Sequence, residues 1–275
     1  MIVTECVDAP TLWREAEVFL SRDPANNTHQ LSAIKRILDL GARGGERFFA
    51  VRHDHDGLAG SAVVVDTQTL FLSLMDATVV TALATHLSDA KTQLAGVIGR
   101  QDVLKSFTES FAQPFSVHVN LMLYRLEGSP EFGRAAGEAR LATTDDLALL
   151  MDWHAAFEQE VGMIKVLTPL EERVIRRIND QQLSLWIDDG AVVSFAGANV
   201  LPASSARVGP VYTPPELRGR GYAQAVTAAA SLQVQSDKPR TVFLFTDAGN
   251  PASNKAYQRI GFRHIADHAH LLFGI

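Results

Sequence analysis

One stretch of the sequence decides the fold: Arg207-Val-Gly-Pro-Val-Tyr-Thr-Pro-Pro-Glu-Leu-Arg-Gly-Arg-Gly-Tyr-Ala-Gln-Ala-Val226. A strand is predicted to end at Thr213, because two prolines follow it and stop the strand. Gly219 and Gly221 then bring backbone without side chains to the start of an alanine-rich helix. Several N–H groups can converge there on one anion, and the helix dipole adds favourable potential. These residues predict a pyrophosphate-binding loop.

The segment around this loop is basic, although the chain as a whole is acidic. From Ser205 to Ile265 there are eight basic and three acidic side chains, whereas the formal net charge of all 275 residues is −6. Arg218 and Arg220 lie within the loop itself. A ligand with several phosphates would select this local excess, and a solvated face is the alternative. The overall acidity makes nucleic acid an unlikely main partner.

Glycine-rich loops occur in several nucleotide-binding folds, and two of them do not fit. A dinucleotide-binding fold requires G-x-G-x-x-G, but Gln224 stands at the third glycine and too few residues remain for the rest of that sheet. A P-loop requires Gly-Lys-Ser/Thr, which is absent from the sequence. A glycine pair in an ordinary turn remains as an alternative.

Two linked motifs resemble the Gcn5-related N-acetyltransferase (GNAT) superfamily. Arg218-x-x-Gly221-x-Ala223 is similar to its pattern Gln/Arg-x-x-Gly-x-Gly/Ala. Asn250-Pro-Ala-Ser-Asn-Lys-Ala-Tyr-Gln-Arg-Ile-Gly-Phe262 resembles its second signature, Asn-x-x-Ser/Ala-x-x-x-Tyr-x-x-x-Gly-Phe. The phrase from Val211 to Gly221 also looks like the FR47-type branch. The resemblance covers roughly residues 140–273.

The resemblance implies acyl-CoA as cosubstrate, with acetyl-CoA as the default, and a small-molecule or peptide amine as acceptor. Val211 and Thr213 would hold the acyl carbonyl and the pantetheine arm through their backbone. Asn250 and Ser253 would hydrogen-bond the pantetheine or the phosphates, although Asn250 could equally be only a helix cap. The other cofactor-binding residues would be Arg218, Gly219, Arg220, Gly221, Tyr222, Ala223, Gln224 and Ala225.

The resemblance also assigns catalytic roles. Tyr257 would protonate the leaving thiolate as general acid, and a tyrosine packed on the sheet is the alternative. Some members of the superfamily use a glutamate base eleven residues ahead of the loop's first residue, where this chain has Arg207. The candidate bases are therefore His154, Glu158 and Glu160, each of which could simply be a solvated side chain.

The pattern of apolar residues predicts an α/β protein whose two halves repeat one order of helices and strands, although alternation of this kind can arise by chance. With the resemblance, this implies two tandem GNAT-like domains, each a mixed, mostly antiparallel sheet flanked by helices. Residues 1–128 and 139–275 are the predicted domains, and 129–138 the linker. Residues 70–80 contain no glycine, so the first domain is predicted to have lost cofactor binding and to serve a structural role.

The apolar pattern and the turn residues also predict the individual helices and strands. Helices are predicted at 11–19, 28–40, 79–87, 102–111, 169–178, 220–235 and 250–260, with another starting at 143–147 and a break at 157–163. Strands are predicted at 47–53, 58–66, 69–74, 94–98, 116–126, 183–187, 191–200, 207–213 and 241–246, with 262–265 and 268–273 as a last strand or hairpin.

Other features narrow the class of protein. Cys6 is the one cysteine, so no disulfide can form within the chain. The sequence has neither a signal peptide nor an apolar run long enough for a membrane span, so we expect a cytoplasmic protein. Asp54-His-Asp56 falls in a predicted turn, and no metal is expected there. A homodimer is possible.

Two other functions compete with the transferase. The main rival is a non-catalytic module that binds or senses acyl-CoA, and the missing glutamate favours it. A weaker idea is an acceptor such as an aminoacyl group on tRNA, which the overall acidity disfavours.

Overall fold

The computed structural model describes residues 1–54, 57–163 and 167–274, which form one sheet with helices on both faces. The first half supplies β1 (Ile2–Cys6), α1 (Ala9–Ser21), α2 (Thr28–Leu40), β2 (Arg47–Arg52), β3 (Leu58–Val64), β4 (Thr69–Leu72), α3 (Ala77–Asp89), β5 (Gly96–Arg100), α4 (Gln101–Phe111) and β6 (Phe115–Leu126). The second half supplies β7 (Glu138–Leu141), α5 (Leu147–Glu160), α6 (Leu170–Asn179), β8 (Leu183–Asp188), β9 (Ala191–Leu201), β10 (Ser205–Tyr212), α7 (Tyr222–Gln233), β11 (Thr241–Asp247), α8 (Pro251–Ile260) and β12 (Phe262–Phe273). The two halves therefore have the same order of elements.

Local sequence explains where several helices begin and end. The carboxylate of Asp8 accepts the N–H of Thr11 at 2.8 Å and caps α1. Asn250 caps α8 in the same way, and Pro251 takes the first helical position, where no N–H is needed. Gly261 ends α8 with φ of +112°, a conformation that a residue with a Cβ adopts only at a cost.

The twelve strands lie in the order β1-β2-β3-β4-β5-β12-β6-β11-β10-β9-β8-β7. Among the described residues only two neighbouring pairs run parallel, β4 with β5 and β10 with β11. Every other pairing in the sheet is antiparallel. The predicted fold class, a mixed and mostly antiparallel sheet flanked by helices, is confirmed.

The two halves exchange their last strands. β12, the end of the chain, lies beside β5 of the first half, while β6 lies beside β11 of the second half. The two exchanged strands pair with each other from Leu126 opposite Phe262 to Phe115 opposite Phe273. Residues 1–128 and 139–275 thus interlock within one sheet, and the domain boundaries drawn from the sequence stay a prediction.

The hydrophobic cores of the two halves reflect the exchange of the last strands. Leu271 and Phe273 of β12 pack in the first half's core, together with Val97, Phe107 and Phe111. In the second half, α7 and α8 pack on one face of the sheet, and α5 and α6 pack on the other. The strand residues alternate between these faces, as the two-residue period of a strand requires.

Three details differ from the predicted elements. β1 and β7 are short edge strands that the apolar pattern did not indicate, and β7 begins at the last residue of the predicted linker. α5 continues to Glu160, four residues into the predicted break at 157–163. β12 is one strand with register shifts, the first between His264 and Ala266, and not a hairpin.

No helix in residues 1–54, 57–163 or 167–274 is long and apolar enough to cross a bilayer. The same residues contain no group of three metal-ligating side chains. In the Asp54-His-Asp56 turn, the second and third residues lie outside the described part of the chain.

Substituting Leu271→Ala tests the strand exchange. Leu271 is buried in the first half's core, so the cavity should lower the free energy of unfolding by about 2–5 kcal/mol in denaturant titrations. Hydrogen exchange in β5 should accelerate, because β5 pairs with this residue. Leu232→Ala, at a side chain that is 41% exposed, is the control and should change stability by less than about 0.5 kcal/mol. Unaltered exchange in β5 would contradict the strand order.

Candidate functional site

Two parallel strands separate at the centre of the second half. β10 and β11 pair from Ser205 opposite Thr241 to Val208 opposite Leu244, and their pairing ends there. β10 has a register shift between Val208 and Val211 and then continues along β9. β11 continues along β6 as far as Asp247. Beyond Val208 and Leu244 the two strands no longer bond to each other, although side chains donate to the carbonyls of Gly209, Thr213 and Asp247. The remaining main-chain groups can pair with an extended ligand.

The loop from β10 to α7 ends in a run of free amides. Gly219 and Gly221 have φ of +80° and +88°, and Gly221 is the N-cap of α7. Among the described residues, no acceptor is bonded to the N–H groups of residues 219–224. The N–H of Ala225 donates to the carbonyl of Gly221 at 3.1 Å, so Ala225 drops out of the predicted donors. Six consecutive free N–H groups at a helix N-terminus are an arrangement that can bind an anion.

The two arginines of the loop have different roles. The Nε of Arg218 donates to the carbonyl of Thr213 at 2.9 Å, and its Nη2 pairs with Glu160 at 2.6 Å. Its guanidinium also lies 5.8 Å from the centre of the Tyr212 ring. Arg218 therefore braces the loop against the strand end and α5. Arg220 is exposed and has no carboxylate partner among the described residues, so it can meet a phosphate.

The predicted linker packs against the same helix end. A Cβ on Gly133 would lie 2.8 Å from Nε2 of Gln224, which donates to the carbonyl of Glu131 at 3.4 Å. A Cβ on Gly221 would lie 3.6 Å from Cβ of Ala135. The Gln224 side chain is thus directed to the linker, and only its N–H faces the anion site.

α8 borders the gap with the second motif. The Oδ1 of Asn250 accepts the N–H of Ser253 at 3.1 Å, so the cap that the sequence suggested is present. Tyr257, one turn beyond Ser253, is half-buried beside Phe262, with ring centres 6.3 Å apart. Burial raises the pKa of Tyr257 to about 12, and no described residue hydrogen-bonds its hydroxyl.

Asn254 is a site residue that the sequence analysis missed. Its Nδ2 donates to the carbonyl of Asp247, at the end of β11, at 3.3 Å. Its Oδ1 is buried and has no partner within the described residues. A buried amide oxygen without a donor is a place where a ligand N–H can bind. The only signal in the sequence was its position one turn after Asn250.

The candidate bases lie on α5 and each has a constraint. His154 is buried against Phe195, and its pKa is lowered to about 3, first by burial and then by the positive charges of Arg177 and Arg173. Glu158 pairs with Arg173 at 2.6 Å. Glu160 pairs with Arg218, as described above. The structure therefore gives two of these residues ion-pair roles and keeps the third uncharged; their role as base stays a prediction.

The matching position in the first half is built differently. Between β4 and α3 lie only residues 73–76, without glycine. The N–H of Ser73 donates to the carbonyl of Ser61, and the N–H of Leu74 to Oδ1 of Asn27 at 2.7 Å. Asp76, at the N-cap of α3, places a carboxylate where an anion would bind. Within the described residues, the N–H groups of residues 75–78 stay without an acceptor, four where the second half has six, and none of them belongs to a glycine.

The comparisons with known proteins agree with this geometry. The family model of FR47-like proteins matches residues 188–271, which include the gap, the amide loop and α8. No curated protein is similar enough in sequence to be matched.

Solved structures match over the whole length. An acetyltransferase of the GNAT family from Colwellia psychrerythraea is 15% identical, with a TM-score of 0.62 and 99% of each chain covered. A GCN5-related N-acetyltransferase from Sphaerobacter thermophilus is 16% identical, with a TM-score of 0.63 over 99% of this chain and 97% of that chain. A tandem GNAT protein from the clavulanic acid biosynthesis pathway is 11% identical, with a TM-score of 0.58 over 98% of each chain. The chain therefore has the GNAT fold along its described length, and its residues 188–271 form an FR47-like region.

Proposed function

We propose that this protein is an N-acyltransferase that transfers an acyl group, acetyl by default, from coenzyme A to a primary amine. The observation that carries the proposal is the run of six free N–H groups at residues 219–224, next to the gap between β10 and β11. A helix N-terminus with two glycines can hold the pyrophosphate of coenzyme A, and Arg220 can add a charge-assisted contact. The GNAT fold supports this proposal.

The gap would hold the rest of the cosubstrate. The pantetheine arm contains two amide groups and can extend beside β10 as an added strand, using backbone groups of Val211 and Thr213. Asn250 and Ser253 lie at the N-terminus of α8, and Asn254 supplies an oxygen that lacks a donor. These groups would fix the thioester at the point where the two strands part.

The chemistry requires one bond to form and one to break. The amine nitrogen attacks the thioester carbonyl carbon, the C–S bond breaks, and the amine loses a proton while the sulfur gains one. Tyr257 is in its protonated form at neutral pH because its pKa is about 12. The pKa of a thiol is about 8.5, so Tyr257 stabilises the leaving thiolate mainly by donating a hydrogen bond, and solvent completes the protonation.

Removal of the amine proton needs no strong base in this proposal. Of His154, Glu158 and Glu160, the first is a weak base with a pKa of about 3 and the other two each face an arginine. An amine that is already partly deprotonated can attack directly, and one of these groups can pass its proton to water.

The first half would support the site without binding coenzyme A. Its strand β6 holds β11 on the side away from the gap, up to Asp247 opposite Leu121. Residues 1–128 would therefore act as a structural domain that also borders the acceptor side, with 129–138 as linker and 139–275 as the catalytic domain.

A non-catalytic protein that binds or senses acyl-CoA is the second candidate. It is favoured by Arg207, which stands where related enzymes place a glutamate base, and by the ion pairs of the acidic candidates. Calorimetry with CoA, followed by thiol release from acetyl-CoA with a panel of amines, separates the two. Binding with turnover supports the transferase, binding without any turnover supports the sensor, and no binding contradicts both.

Substituting Gly219→Ala should weaken CoA binding by about tenfold or more. The residue has φ of +80°, so a Cβ adds strain of about 1–2 kcal/mol and favours a backbone that moves the loop amides. Gly190→Ala is the matched control, since Gly190 has φ of +74° and open space around it but lies in the turn between β8 and β9. Equal losses of CoA affinity in both variants, measured by calorimetry, would show that backbone strain alone is responsible.

Substituting Tyr257→Phe should lower kcat by about a hundredfold and leave the Kd for CoA nearly unchanged, because the phenol acts on the leaving sulfur. Tyr124→Phe is the control: this buried tyrosine contacts Met122 and Gln258 with its hydroxyl and is not part of the proposed chemistry. The measurement is thiol release at saturating acetyl-CoA, with Kd from calorimetry. Unchanged kcat in the Tyr257→Phe variant would remove Tyr257 as the donor.

A further inference from the structure

Two arginines approach each other on the face of the sheet opposite α7. Arg207 lies on β10 between Ala206 and Val208, which pack on the α7 side, so its own side chain points to the other face. Arg177 comes from α6 on that face, and its Nη1 donates to the carbonyl of Gly209 at 3.3 Å. Gly197 leaves room for it, since a Cβ there would lie 2.6 Å from Nη1 of Arg177.

Neither guanidinium has an acidic partner. Among the described residues, no carboxylate lies within 4.0 Å of Arg207 or Arg177. Glu158, whose charge acts on Arg177, pairs with Arg173 at 2.6 Å, and Glu172 pairs with Arg176 at 3.8 Å. Burial lowers the pKa of both Arg207 and Arg177 to about 10, and the charge of Arg207 adds to this for Arg177. Both therefore stay cationic at neutral pH.

The side chains around the two arginines include histidines and an aromatic ring, and within the described residues they bring no carboxylate to salt-bridge distance. His29 of α2 stacks on Phe245 with ring centres 4.4 Å apart, and its pKa lies well below 6.5 because of burial and then the charge of Arg207. His154, also near Arg177, has an Nε2 atom that is buried without a partner. Arg207, Arg177, His29 and Phe245 each keep part of their surface exposed. Together the two arginines form a cationic cluster on this face, part of whose surface is exposed.

This cationic cluster adjoins the proposed reaction centre. Val208 is the last residue of β10 that pairs with β11, and Arg207 is the residue before it. Phe245 is the first residue of β11 beyond the paired stretch. An acceptor that reaches the gap from the face opposite α7 must therefore pass the two guanidiniums.

We infer that the acceptor of the transferase proposed above is an amine that also carries an anionic group, a carboxylate or a phosphate, which Arg207 and Arg177 bind. This inference rests on the proposed function and adds the class of substrate. Two partly buried guanidiniums without a counter-ion raise the free energy of the folded protein, and a bound anion would offset that cost. Their planar donor groups match the geometry of a carboxylate or phosphate. Some members of the superfamily have a glutamate at this position, which would attract the ammonium group of any amine. Arg207 would instead bind the anionic group of the acceptor and so select acceptors that carry one.

Matched acceptors test the class of substrate. Thiol release from acetyl-CoA is measured with the full-length chain and three amines of equal length: an amino acid, its carboxamide and an aminoalkyl phosphate. We expect kcat/KM for the carboxamide to be about ten- to a hundredfold below that of the preferred anion, as for loss of charged hydrogen bonds. A higher rate with the phosphate than with the carboxylate identifies phosphate as the anion, and equal rates for the acid and the amide overturn the inference.

Variants test the residues. Arg207→Gln and Arg177→Gln should each raise KM for the anionic acceptor about tenfold or more, with the Kd for CoA unchanged, and Arg207→Lys should have a smaller effect because it keeps the charge but loses the planar donors. Arg125→Gln is the control: Arg125 is exposed and lies opposite Phe243, which in turn pairs with Arg207. An unaltered KM in both Gln variants overturns the assignment.

Failure of this inference and failure of the proposed function give different results. If the chain does not bind CoA, the transferase proposal fails. If it binds CoA and acetylates neutral and anionic amines alike, only the acceptor class fails. Where no amine is turned over, calorimetry of the acid and the carboxamide against the CoA complex still decides, since equal affinities overturn the anion site.

Discussion

The antiparallel pairing of β6 with β12 is the contact on which the rest of the molecule depends. It joins the two halves into one sheet and places β6, a strand of the first half, against β11. β11 is thereby held extended as far as Asp247, although its pairing with β10 ends at Val208. A lone strand without a partner on either side would not hold its main-chain groups in position. The gap at the centre of the candidate site therefore has one wall supported by the other half of the chain.

Two copies of one order of elements carry different local chemistry. In the second half, the loop before α7 contains glycines with positive φ and leaves its amides free. In the first half, residues 73–76 are too few for such a loop, and the amides of Ser73 and Leu74 are bonded within the protein. The architecture is the same in both, so the run of six free amides comes from the loop before α7 and not from the fold alone.

Charge is divided between the two faces of the sheet at the gap. On the α7 face, free N–H groups and Arg220 suit the phosphates of a cosubstrate. On the opposite face, Arg207 and Arg177 are cations without carboxylate partners among the described residues. Arg218, by contrast, is neutralised by Glu160 and fixes the loop. The protein is acidic overall, yet the site that it builds is positive on both sides.

The sequence by itself determined the repeated order of helices and strands, the amide loop with Gly219 and Gly221, and the Asn250 cap, because each rests on local period, backbone freedom or capping. The expectation of a mostly antiparallel sheet rested instead on the two motifs that resemble the GNAT superfamily. It did not reveal β1 and β7, since short edge strands have little apolar pattern. Only the tertiary structure decided that the halves exchange β6 and β12, that Arg218 and Glu160 pair, and that Arg207 lies near Arg177. These depend on contacts between residues far apart in the chain, which no local pattern encodes.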